Sequence, residues 1–465
     1  MKHIILFLIV AIGVKGVAQN QDNVLRFDEY LGFVKQYHPV VKQANLVIDE
    51  SQAKLMKSRG AFDPKIEVDY DRKKFKNSEY FDKLNATFKI PTWYGIELKA
   101  NFEETDGIFL NPEANLPQDG LYSAGVSFSV AQGLLINKRM ASVKQAKLYR
   151  EQAKADRDIL VNTILYEASI VYFDWLRAYN ELQVFDEFLS NAVIRFEGVK
   201  QSVDAGDKAA IDSVEARITV NNRRLSLEKS KVKFMKATLE LSNFLWLENN
   251  IPVELQPEVI PDVESEFIID NTLEVSSLVL NEFDVDTHPK VRSLNFKYES
   301  LDVEKRLRMN NLLPRVDLEY NFLTENADAI RSLNTANYKS GLNISFPLFL
   351  RKERGDLRLA KLKMKDVEYD IFSSKLSIGN KIDAIKRELE SYVLQNELTE
   401  TIVDDYVNLV RAEERKFSLG ESSLFLVNSR ESKLIDAKLK AIDIENSFFD
   451  TKALLFKSLA VNPSL

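Results

Sequence analysis

HPVVKQANLVIDE, residues 38–50, returns as HPKVRSLNFKYES at residues 288–300. At this constant offset of 250 residues, Val41 matches Val291, Asn45 matches Asn295, Pro64 matches Pro314 and Tyr70 matches Tyr320. Asp49 and Asp69 fall opposite Glu299 and Glu319, so charge is kept while length changes. Proline suits the first turn of a helix and turns the residue before it away from helical geometry. Pro39 and Pro289 therefore read as helix starts, with His38 and His288 just outside them. Both copies continue in the same order: a helix, a proline, an alternating strand, a partner strand, then a very long helix.

Alternation marks the strands. Ile66, Val68 and Tyr70 share one side, with Glu67, Asp69 and Asp71 on the other. Leu84, Ala86, Phe88 and Ile90 repeat the pattern, as do Tyr94, Ile96, Leu98, Ala100 and Phe102, then Tyr122, Ala124, Val126, Phe128 and Val130. In the second copy Val316, Leu318, Tyr320 and Phe322 form one strand and Leu342, Ile344 and Phe346 its partner. A period of two means strands with one apolar face. A soluble sandwich would show the same period, but here each block is flanked by long helices rather than by more strands. Strands of a membrane barrel fit better, with Trp93, Tyr94, Tyr122 and Tyr338 as candidate interfacial anchors.

The stretch 137–202 holds no proline and one glycine. Its apolar residues Ile164, Ala168, Val171, Trp175, Ala178, Leu182, Phe185, Leu189, Ala192, Phe196 and Val199 alternate spacings of four and three, a coiled-coil seam. Ile378, Ile382, Ile385, Leu389 and Tyr392 keep the same rhythm in the second copy. Such stripes are packing surfaces, not cofactor sites. Gly206 and Gly420 mark the hairpin tips, where a left-handed residue ends each long helix. A descending helix of about 65 residues spans about 100 Å, the return over 207–248 about 63 Å and the helix 289–310 about 33 Å. Laid end to end, the two shorter helices match the long one, so a connector sits partway along a rod.

The 465 residues are 29% charged, with mean hydropathy −0.23, which excludes a helical membrane protein. Lys2, the apolar run 4–14 and Gly16-Val17-Ala18 read as a secretory leader cut after Ala18, with a single membrane anchor as the alternative. No later stretch reads as apolar enough for a membrane helix. Loss of Lys2 and Lys15 would take the formal charge from −7 to −9, so nucleic acid is an unsuitable partner. Cysteine is absent, which removes disulfides, thiolate metal sites and a lipidated N-terminal cysteine. After the leader, His38 and His288 are the sole histidines, and their equivalent places argue for a turn role over catalysis. Asp404-Asp405 and Glu413-Glu414 read as solvated helix faces. No nucleophile–base pair, phosphate loop, cofactor site or metal site emerges, so an enzyme is not expected. The expected organisation is a leader (1–18), a first helix–strand–helix repeat (19–248), an equatorial connector (249–287) and a second repeat (288–465).

With these features assembled, the chain resembles the TolC family of outer-membrane efflux channels. The resemblance covers nearly all of the mature chain. It rests on the paired His-Pro openings, the proline before each first strand, Phe346-Pro347-Leu348-Phe349 ahead of the second long helix, and the tips at 206–216 and 420–430. It implies a mainly α fold with membrane strands, in which a homotrimeric β-barrel in outer-membrane lipid continues as a periplasmic coiled-coil cylinder. It further implies a passive duct of a tripartite efflux or type I secretion system, fed by an inner-membrane transporter through a periplasmic adaptor. A periplasmic adaptor and a structural coiled-coil protein of the envelope are the alternatives.

Two departures from the family pattern stand out. The family has two membrane strands per copy, whereas the first copy here has four, with an added pair around Pro91-Thr92-Trp93-Tyr94-Gly95. That pair either widens the barrel from twelve strands to eighteen or forms a side flap or part of a lengthened pair. The family also closes its periplasmic end with acidic residues one and two turns after the tip glycine. Asp212 and Glu215 hold those places in the first copy, but Leu426 and Ser429 hold them in the second. An acidic ring would draw on Asp212, Glu215 and Glu421, and a solvated helix face is the alternative.

Overall fold

The computed structural model describes residues 23–263, 266–275, 283–328 and 334–463. The leader at 1–18, and residues 276–282 of the connector, lie outside the described residues. Two helices open the chain, α1 (Phe27–Tyr37) and α2 (Pro39–Arg59), followed by β1 (Lys65–Phe75), β2 (Ser78–Pro91), β3 (Ile96–Asp106) and β4 (Leu121–Ser129). The hairpin α3 (Lys138–Asp204) and α4 (Ala210–Ser242) completes the first copy. A short α5 (Glu266–Leu273) lies in the connector. The second copy is α6 (Pro289–Asn310), β5 (Arg315–Thr324), β6 (Tyr338–Ser345), α7 (Arg351–Ser418) and α8 (Leu424–Leu459).

All six strands join one antiparallel sheet in the order β6-β5-β4-β3-β2-β1. The extra pair of the first copy is therefore part of the sheet, not a side flap. Tyr94 falls in the turn before β3 rather than on the strand. Directly paired residues point the same way, so the registers fix the faces. Ile66, Phe88, Ala100, Ala124, Phe322 and Tyr338 lie on one continuous line of partners across all six strands. The neighbouring lines add Val68, Ala86, Phe102 and Tyr122, and Leu98, Val126 and Tyr320. One face is thus apolar from edge to edge. It is also open: Ile66 is 75% exposed and Leu342 62%. An apolar patch of this extent is not left on a soluble monomer. The opposite face holds Glu67, Lys89, Lys99, Glu319, Asn101 and Asp317, cross-linked by pairs such as Lys99–Glu319 (3.4 Å) and Ser129–Asp317 (2.6 Å). β1 and β3, of 11 residues each, and β4, of 9, meet the length of about 9–11 residues that a tilted strand needs to cross a bilayer.

Below the sheet the helices form a wall. α3 packs between α2 and α6 near the strands and between α4 and α8 nearer the tips, while α7 flanks α6 and α8. The joints within this wall correct the end-to-end match drawn from lengths. His38, at the start of α2, stacks on Phe244 just beyond α4 (5.5 Å between rings), so α4 is continued by α2 of its own copy rather than by α6. His288, at the start of α6, donates a ring N–H to the backbone carbonyl of Ser458 near the end of α8, so α8 is continued by α6. Around these joints lies the main core: Phe27, Tyr30 and Leu31 of α1, Tyr172, Phe173 and Trp175 of α3, Ile269 and Leu273 of α5, and Phe449 and Phe456 of α8. Trp175 donates its indole N–H to Thr238 at 2.9 Å. Val24–Leu25 pairs in parallel with Ile260–Pro261, tying the chain's start to the connector. One 18-residue window of α3 is apolar enough to cross a membrane, contrary to the sequence expectation, and 56% of it is buried. Its apolarity serves this core, because α3 has neighbours on several sides.

Candidate functional site: the hairpin tips and the membrane sheet

The two tips are built alike. Gly206 (φ 85°) and Gly420 (φ 79°) both take the left-handed conformation open to glycine at little cost. The next residue closes each turn: Asp207 N–H donates to the Ser202 carbonyl (2.9 Å) and Glu421 N–H to the Lys416 carbonyl (2.9 Å). Val199, Ala216 and Leu424 pack the two tips together, and the Lys208 ammonium lies 3.6 Å from the centre of the Phe417 ring.

The structure separates the three acidic candidates. Asp212 sits in the first turn of α4, half-buried, and its carboxylate has no hydrogen-bond or ion-pair partner among the described residues. Glu215, one turn on, accepts from Asn428 of α8 at 3.4 Å and so faces the neighbouring hairpin. Glu421 is exposed on the second tip.

Above this level lies a network that sequence reading missed. Glu431 on α8 is 1% exposed and lies 3.0 Å from Arg195 of α3 and 3.7 Å from Arg223 of α4. Arg195 also reaches Glu414 of α7 at 2.8 Å and Asn428 at 3.4 Å. Four helices are joined by one group of charges, and Asn428 links it to Glu215. Glu413 is buried, bonded to Ser422 and close to Arg430. The solvated reading is thus corrected for Glu413, which is enclosed by Ser422 of the tip turn and Arg430 of α8, while Glu414 stays exposed as expected, with Arg195 beside it. Asp404 and Asp405 are exposed. The only signal available beforehand was arginine within long coiled-coil stretches, which does not name its partner.

The histidines cap helices. His38 Nδ1 accepts from Val40 N–H (3.2 Å) and His288 Nδ1 from Lys290 N–H (3.0 Å), satisfying a free amide at each helix start. Burial pushes both imidazoles below their usual range, towards the neutral form that can accept. The four aromatic candidates divide between the two ends of the sheet. Trp93 and Tyr94 lie at the helix end. Trp93 turns inward onto Phe62 (5.3 Å), while Tyr94 is 61% exposed. Tyr122 and Tyr338 lie at the far end, Tyr122 against Phe102 (4.7 Å) and Tyr338 stacked on Tyr320 (5.4 Å). Among the described residues no group of His, Asp and Glu is arranged to hold a metal ion.

The apolar sheet on long helices has solved counterparts. The chain superposes on the Campylobacter jejuni CmeC outer membrane channel with a TM-score of 0.64 at 14% identity, over 94% of this chain and 86% of that one. For the open state of the Neisseria gonorrhoeae MtrE outer membrane channel the values are 0.65, 13%, 94% and 89%. For the outer membrane protein VceC from Vibrio cholerae they are 0.64, 11%, 93% and 96%. No family model and no curated protein matches the sequence. The fold is that of the outer-membrane channels, as the TolC-family resemblance implies.

Proposed function

We propose that this chain is the outer-membrane exit duct of a tripartite efflux or type I secretion system. It acts as a homotrimer and receives substrate from an inner-membrane transporter through a periplasmic adaptor. The observation that carries the reading is the sheet: one face apolar across six strands, the other lined with paired charges, set on helices of 67 and 68 residues. A lipid-facing outside and a water-facing inside are what a transmembrane barrel requires.

The wall supports a ring. One edge of the subunit is β1, α2 and α4, and the other is β6 and α7. Both bear exposed apolar residues at helical spacing, Ile211, Ile218, Leu225, Val232 and Leu239 on α4 and Leu362, Tyr369, Phe372 and Leu376 on α7. Two different edges that meet head to tail generate a closed ring, and a ring removes the open sheet edges that lipid does not tolerate.

Transport would be passive: the charged face of the sheet would line an aqueous path, and the sequence offers no phosphate loop that would supply energy. Opening would occur at the tips, where the two hairpins are held by the Glu431 network and the apolar tip contacts. Deletion of the gene should raise sensitivity to toxic compounds or abolish a secreted product; unchanged export would remove the role's main support. A periplasmic adaptor would wash from membranes at high salt, whereas this sheet should need detergent for release.

A further inference from the structure

We infer that the trimer closes as an eighteen-stranded barrel, about as wide as the helical tunnel beneath it, so that the membrane segment is not the size filter for cargo. The inference rests on the duct reading and names what that duct admits.

Each edge strand is paired on one side only among the described residues, and every residue of β1 and of β6 is exposed. β1 leads away from the helices and β6 leads back to them, so β6 of one copy meets β1 of the next antiparallel, as every other pair in the sheet does. Register fixes the closure. The line of partners that starts at Ile66, one residue inside the helix end of β1, arrives at Tyr338 on β6. The residue one inside the helix end of β6 is Ile344, six positions further along. Matching the helix ends of the two edges sets Ile344 beside Ile66 of the next copy, a shift of six residues for six strands. An even shift keeps the apolar face outward. Over three copies the shift equals the strand number, the condition under which strands tilt by about 36°. That lies within the tilt of about 35–45° seen in membrane barrels.

Width follows. At a spacing of about 4.8 Å and this tilt, six strands cover an arc of about 36 Å, and four would cover about 24 Å. The four helices that adjoin the sheet, α2, α3, α6 and α7, cover about 36 Å at about 9 Å each. At this tilt six strands continue the wall without narrowing it, whereas four would need a steeper tilt to do so. The backbone diameter becomes about 34 Å, against about 23 Å for twelve strands at the same tilt. The cargo class this admits is bulky solute, including polymer chains with their hydration, limited by the tips rather than by the sheet.

The absence of native cysteine makes the test direct. Ile344→Cys combined with Ile66→Cys should oxidise to a covalent trimer in the outer membrane. Ile344→Cys combined with Ile96→Cys should not, because β3 faces β6 of the next copy only when β1 and β2 are left out of the ring. Cross-linking through Ile96, or through neither pair, would overturn the proposal. Electron microscopy of the unmodified, detergent-extracted protein gives an independent count, with eighteen strands expected and twelve refuting. In planar bilayers, graded polyethylene glycols added on the sheet side should enter up to the size set by the helical tunnel; exclusion at a smaller size would also refute it. A twelve-stranded ring with export intact would sink this inference alone, while loss of membrane association or of export dependence would sink the duct reading.

Discussion

Glu431→Ala is the perturbation with the largest expected effect. The carboxylate is 1% exposed, and its removal leaves Arg195 and Arg223, whose side chains are 11% and 14% exposed, without their shared counter-charge. Breaking a buried pair from one side costs about 3–5 kcal/mol, mostly as the penalty of the stranded charge. Here Arg195 keeps Glu414 at 2.8 Å and Arg223 keeps the Ser432 hydroxyl at 3.1 Å. The expected cost is therefore at the lower end, about 3 kcal/mol per subunit. The network joins α3, α4, α7 and α8, so its loss should also let the hairpins part. Two assays follow: thermal melting of helix signal in detergent at fixed protein concentration, and single-channel conductance. The variant should melt earlier and open more often. Replacing Glu431, Arg195 and Arg223 together by Met should recover most of the melting temperature, because well-packed apolar groups replace buried ion pairs at little cost. Wild-type melting in the single variant, or a triple variant no better than the single one, would refute the reasoning.

The remaining predictions concern the tips and pH. Asp212→Asn with Glu215→Gln should weaken block of the channel by multivalent cations; unchanged block would remove the acidic ring, since charge rings at constrictions set selectivity. Gly206→Ala and Gly420→Ala should each cost about 1 kcal/mol, because both positions have positive φ and open space around the added methyl. Chemical denaturation of each variant checks this. Burial, with Asp174 nearby, raises the Asp450 carboxyl to about 7. Its protonated form stabilises the fold fully below the unfolded value of 3.8, and that stability is lost as pH rises through about 7. Asp450→Asn should therefore raise the melting temperature at pH 8, with a gain that fades as pH falls towards 4. His38 and His288 act in the opposite sense: their folded values are depressed, so their stability is present above about pH 6.5 and is lost as pH falls below it. Asn at both positions retains a capping oxygen and should flatten that loss in a pH series of melts.

Much of the fold was legible because its signals are local and periodic. The two His-Pro starts, the alternation over 66–70 and 316–322, and the tip glycines each need only a few residues to be read. The duplication then supplied an internal check, since each reading had to hold twice. The joints were not legible, because helix lengths do not say which end meets which. His38 against Phe244 and His288 near Ser458 depend on residues some 170 to 200 positions apart. The Glu431 network was hidden for the same reason: Arg195, Arg223, Glu414 and Glu431 each look solvated within their own helix, and they meet only when four helices pack.

The two copies have kept their geometry but not their charge, and the difference bears on the gate. Tip glycine, turn hydrogen bond and capping histidine are the same in both. Asp212 and Glu215 have no acidic equivalents, because Leu426 and Ser429 stand in their places. In a closed trimer the two hairpins alternate around the ring, so acidic positions occupy three of six places. Glu215 is further drawn to Asn428 of the other hairpin, which leaves Asp212 as the carboxylate without such a tie. Three partly solvated charges give a weaker field than six, and salt screens it over about 8–10 Å. The aperture should then be closed mainly by packing and by the buried Glu431 group, with Asp212 adding cation preference. If so, conductance in Asp212→Asn should change its ion selectivity while its open probability stays near wild type, and Glu431→Ala should do the reverse.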